Sequence, residues 1–206
     1  RLEQAGLVNA LAGKPARYIP MPPSHLVEHL KSRFARDLDS FTESVARVTG
    51  PQNDAITWTV TGYDALLTEA EGLIGHAHET VVCSIWRKEA EALSRALARA
   101  KERNVDITLF SFTDLPESLG RVLSYHIDPR DLEEHWSRRL ILITDGAHVL
   151  VGAADGTRLD RGVISNEQVL VEMAVANLVL DITLWGERKG VDTSAIVTRM
   201  TSAFAP

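Results

Sequence analysis

Two apolar runs joined at Asp145-Gly146 constrain the fold of this chain more than any other stretch. They lie in SRRLILITDGAHVLVGAADG, residues 137–156. Asp-Gly between apolar runs is a strong hairpin signal, because both residues tolerate positive φ. Residues 140–143 (LILI) and 148–153 (HVLVGA) are too continuously apolar for a sheet with one wet face. The hairpin is therefore expected at the centre of a core, covered on both faces by helices.

The sequence around it alternates in the same spirit. Apolar spacing predicts a strand over 56–60, a helix over 63–77, a strand over 80–85, a helix over 89–103 and a strand over 105–110. A helix between two short apolar runs is the signature of a βαβ unit, and two in succession predict an α/β layer with parallel strands. Further on, the pattern predicts a loop over 114–120, a short strand over 122–127, a turn or short helix over 129–134 and a polar loop over 157–162. A helix with little polar face follows over 166–184, and a last helix runs from Asp192 or Thr193 to residue 203. No apolar run is expected to span a bilayer, and no signal-peptide pattern opens the chain. The single cysteine, Cys83 in VVCSIW, reads as a buried small hydrophobe, which excludes an internal disulfide and makes the cytoplasm the default compartment.

The first fifty residues read differently. The chain has no initiator methionine and is expected to begin inside a longer protein. Residues 1–8 look like the end of a helix stopped at Gly6, and Gly13-Lys14-Pro15 is a turn that residues 16–19 leave as a strand. The formal charge is −6, but the first twenty residues carry +2 and the remainder −8. That distribution argues against nucleic acid lying across the main body and leaves Lys14 and Arg17 as phosphate contacts. After Pro22-Pro23, Ser24 is a candidate N-cap for a helix reaching Thr49. Leu26, Leu30, Phe34, Leu38, Phe41 and Val45 form one narrow stripe on it, with both charge signs on the other faces. A stripe this narrow suits a two-helix seam, so a dimerising coiled coil is expected. His25 and His29 have metal-ligand spacing but no third ligand, and no metal site or cofactor is expected.

Taken in order, LEQAGLV, GKPARYIPMPP, the long helix, WTVTGYDALLTEAEGLIGHAHETVVCSIW and ALARAKERNVDITLFSF resemble the TrmB-like family of sugar-responsive transcriptional regulators. The resemblance implies the end of a winged helix over 1–22, a dimerising linker helix over 23–50 and a phospholipase D-like α/β effector domain over 54–206. It implies a homodimer, DNA as partner of the full-length protein only, a sugar or other small polar or anionic effector, and no membrane.

The phospholipase D pattern HxKxxxxD needs a histidine nucleophile, a phosphate-holding lysine and an aspartate seven residues after the histidine. With Asp145 in the aspartate position, the histidine position is Arg138 and the lysine position is Leu140. His135 is three residues out of register. The Gly-Ser-x-Asn pattern that should follow is Gly152-Ala153-Ala154-Asp155, without its hydroxyl. No catalytic residue is therefore expected, and Asp145 reads as turn chemistry. A ligand site is still expected beyond the carboxyl ends of the strands, at Ser84, Trp86, Ser111 and Phe112, with His126, Trp136, Arg138 and Asn166 nearby. The alternatives are a phospholipase D-like phosphodiesterase or a purely structural dimerisation module.

Overall fold

The computed structural model describes residues 7–11, 13, 17–48, 55–133, 136–202 and 204. It divides into two compact units, 1–54 and 55–206.

In the first unit, β1 (Val8–Leu11) and β2 (Arg17–Pro20) pair antiparallel, with Val8 opposite Pro20 and Leu11 opposite Arg17. The expected helix end over 1–6 and the turn residue Lys14 lie outside the described residues. A long helix, α1 (Pro23–Val48), follows. It starts one residue before the expected cap: Pro23 takes the first helical position, where its missing N–H costs nothing. The Pro22 carbonyl accepts from the Leu26 amide at 3.0 Å. Leu26 is half-buried, but Leu30, Phe34, Leu38 and Phe41 stand 49–66% exposed, so these four have no covering partner among the described residues of this unit; the Val45 side chain lies outside them.

The second unit is α/β, a mixed sheet flanked on both faces by helices, as expected. In chain order it contains β3 (Thr57–Thr61), α2 (Tyr63–His76), β4 (Thr80–Ser84), α3 (Arg87–Ala92), α4 (Ser94–Glu102) and β5 (Asp106–Ser111). A short 3-10 turn at Glu117–Leu119 leads to β6 (Arg121–Ser124) and α5 (Pro129–Glu133). Then come β7 (Arg139–Thr144), β8 (His148–Ala153), β9 (Arg161–Ser165), α6 (Gln168–Lys189) and α7 (Ser194–Ser202). The strand order is β3-β9-β8-β7-β4-β5-β6. Only β4-β5 and β5-β6 pair parallel.

The topology corrects two expectations. Residues 157–162 were expected to be loop throughout, but Arg161 and Gly162 open β9, a five-residue strand whose glycine reads as a breaker. Because β9 pairs with both β3 and β8, β3 is carried to the edge, with three strands between it and β4. The first expected βαβ unit is thus a long crossover and not a neighbouring parallel pair. Likewise the helix expected over 89–103 is two helices, broken at the buried Leu93 (ψ 0°), where Ser94 Oγ donates to the Glu91 carbonyl at 2.7 Å.

The hairpin sits in mid-sheet, with Asp145 and Gly146 at φ +53° and +61°. Leu140, Leu142 and Leu150 face α2–α4, whereas Ile143 and Val149 face α6 and α7. Helix α6 is long and apolar enough by length and composition to cross a bilayer, contrary to expectation. Its inner face, with Val171, Ala174, Val175, Leu178 and Ile182, is buried on the sheet. Its outer face is not: Met173 and Leu180 stand 64% and 69% exposed, since no described residue of this unit covers them.

Candidate functional site

Beyond the carboxyl ends of β4 and β5 the chain turns away, and a cleft of about 490 Å³ opens on the α6 side of the sheet. Strand alternation decides which residues reach it, since neighbours on a strand point to opposite faces. Ser84 follows Val82 to the α6 face, as Phe112 follows Phe110, and both line the cleft with Trp86 and Trp136. Tyr125, just past β6, stacks on Phe112 with ring centroids 5.9 Å apart, and Phe112 lies 5.5 Å from Trp136. Helix α6 supplies Asn177, Asp181, Leu184 and Arg188, spaced along one side of the helix.

The other four expected ligand residues lie elsewhere. Ser111 is 1% exposed and its hydroxyl accepts from the Thr113 amide at 3.0 Å, because its strand position points away from Phe110 and Phe112. Arg138 falls on the opposite face for the same reason, and its neighbour Arg139 lines the cleft instead. His126, at φ +59°, turns outward to pair its Nδ1 with Asp114. Asn166 lies at the far edge, where its Oδ1 accepts from the Ile56 amide at 2.6 Å and its amide donates to the Ile56 carbonyl at 3.2 Å, extending the β3–β9 ladder. Tyr125, Arg139, Asp181 and Arg188 were not anticipated. A two-residue count from Phe110 and Ile141 would have found Arg139, but the α6 residues depend on how the helix crosses the sheet.

Arg138 belongs to a second cleft on the α2–α4 side, with Arg87, Lys88, Glu91 and Trp86. Its amide donates to Asp155 Oδ1 at 3.0 Å, and its Nη2 donates to the Asp155 carbonyl at 2.6 Å. Nearby, the Tyr63 hydroxyl donates to Glu89 Oε1 at 2.8 Å, and Lys88 Nζ lies 4.7 Å from the Tyr63 ring centroid. Glu89 is 1% exposed, and its Oε2 has no hydrogen-bond partner. Burial pushes this carboxyl up, against the pull of Tyr63, Arg138 and Lys88. Burial and the Glu89 contact push the Tyr63 hydroxyl up as well.

Asp145 stands at the other end of β7 from Arg138, about 20 Å away at ~3.3 Å per residue. Its carboxylate does more than shape a turn: Oδ1 accepts from the Glu79 and Thr80 amides at 2.8 and 2.9 Å, and Oδ2 from the His78 amide at 2.9 Å. Burial raises this carboxyl, but the three donors outweigh it and hold it below its ordinary value. Asp145 and Arg138 therefore cannot act on one substrate bond. Among the described residues no cluster of histidine, cysteine and carboxylate groups could hold a metal ion.

No family model matches the chain. It is 21% identical over 141 residues to the uncharacterized protein YrhO of Bacillus subtilis (strain 168), covering 68% of this chain and 51% of that protein. The chain thus spans about half the length of the curated relative it matches. Similar solved structures include TrmBL2, an archaeal chromatin protein with a novel mode of DNA binding, at 16% identity and TM-score 0.45, covering 84% of this chain and 73% of that one. NucT from Helicobacter pylori is similar at 11% identity and TM-score 0.49, covering 63% and 97%. Nuc from Salmonella typhimurium, a phospholipase D family member, is similar at 14% identity and TM-score 0.43, covering 66% and 95%.

Proposed function

We propose that this chain is the effector-sensing and dimerisation region of a cytoplasmic TrmB-like transcriptional regulator, non-catalytic, controlling DNA binding by a winged helix-turn-helix that precedes it. The observation that carries the reading is the state of the sheet end. Where a phosphodiesterase needs a free histidine nucleophile, this chain has Arg138 hydrogen-bonded to Asp155, and an aromatic cleft opens on the opposite face. Rings with a few polar groups among them bind a small ligand; they supply no activated nucleophile. The exposed stripe of Leu30, Phe34, Leu38 and Phe41 supports pairing of two chains through α1. DNA is the partner of the complete regulator, with Lys14 and Arg17 as backbone contacts.

A second reading, a phosphodiesterase, is favoured by the cations Arg87, Lys88 and Arg138 around one cleft. Incubation with bis(p-nitrophenyl) phosphate separates the two. The proposal expects no p-nitrophenolate above the blank; turnover that disappears in Arg138→Ala would establish the enzyme.

A further inference from the structure

We propose that the aromatic cleft takes a flat-ringed organic cation, a ring bearing an ammonium group, with Asp181 as its counter-charge. This deepens the ligand reading and rests on it.

Two observations carry the chemistry. First, four aromatic side chains with π-faces, Trp86, Phe112, Tyr125 and Trp136, line a space of about 490 Å³, large enough for a bicyclic ring. Such faces attract a cation as well as an apolar plane. Second, Asp181 lines this space half-buried and, among the described residues, makes no hydrogen bond or ion pair. Burial pushes its carboxyl up. A partly desolvated carboxylate without a partner gains most from a ligand that brings its own positive charge and N–H donors.

Two arginines, Arg139 and Arg188, also line the cleft. Both are exposed, with the Arg188 guanidinium 5.9 Å from the Tyr125 ring centroid, so solvent screens their charge more than that of the half-buried Asp181.

Calorimetric titration with tryptamine, its neutral analogue tryptophol and the anion indole-3-acetate tests the charge preference on one ring. Tryptamine should bind at least about tenfold more tightly than tryptophol, with indole-3-acetate weakest. In Asp181→Asn the ratio between the first two should fall to within about twofold while tryptophol affinity holds; circular dichroism confirms that this variant folds. Equal or tighter binding of tryptophol or indole-3-acetate, an unchanged ratio in Asp181→Asn, or no tryptamine binding would overturn the inference. The first two of these outcomes leave a ligand site standing, with another specificity or another anchor. The third overturns only the cation, and binding of sugars or sugar phosphates then decides the ligand reading separately.

Discussion

Asp145 and Glu89 are two carboxylates with opposite relations to stability. Asp145 is held below its ordinary value near 3.8, so its three amide bonds stabilise the fold above about pH 4, and this contribution is lost as pH falls through the folded value. Asp145→Asn should cost about 0.5–1.5 kcal/mol at pH 7, the range for hydrogen bonds to a charged acceptor discounted for its partial exposure. Urea unfolding of the two proteins should converge at acid pH. Glu89 is raised above its ordinary 4.5, so it favours the fold below that pH and the favour is lost as pH rises through the folded value. Glu89→Gln should therefore gain stability relative to the parent protein as pH rises above the ordinary 4.5. A difference that is flat with pH would mean that the carboxylate is not desolvated in solution. The role of Asp145 was only half legible: Asp-Gly announces a turn, but the amides of His78 to Thr80 come from another strand and leave no local trace.

At the scale of elements, the central hairpin and the helices were readable because their apolar periods are long and uninterrupted. β9 was not, since five residues containing Gly162 offer no period to count. That glycine has a packing reason. Gly152 and Gly162 are register partners on β8 and β9, and a Cβ on either would meet Leu66 Cδ1 of α2 at 2.6 or 2.5 Å. Gly152→Ala and Gly162→Ala should each cost about 1–3 kcal/mol through overpacking, lowering the thermal midpoint by roughly 2–10 °C for a chain of this size. Adding Leu66→Val should recover part of that loss, and strict additivity would show that the clash is relieved some other way. The same two-residue period explains half of the candidate site. It sends Ser84 and Phe112 to the α6 face and Ser111 and Arg138 to the other, a distinction lost when residues are grouped by strand end alone. Asp181 and Arg188 were beyond reach, because only the crossing of α6 over the sheet brings them to the cleft.

For the whole molecule, the account joins an exposed stripe on α1 to a ligand cleft in the α/β unit. Sedimentation equilibrium should give a dimer at micromolar concentration, and Phe34→Glu with Phe41→Glu should give a folded monomer; a monomeric parent protein would remove the dimerisation role. Sensing itself is tested most directly by thermal unfolding against sugars, sugar phosphates, polyols, nucleotides and aromatic amines. A ligand specific for the folded state adds about 2.7 kcal/mol at a hundredfold excess over its Kd, a shift of several degrees. The account predicts that at least one class raises the midpoint and that Trp136→Ala, at an exposed wall of the cleft, abolishes the shift. No shift from any class, or the same shift in Trp136→Ala, would contradict it and leave a structural dimerisation module in its place.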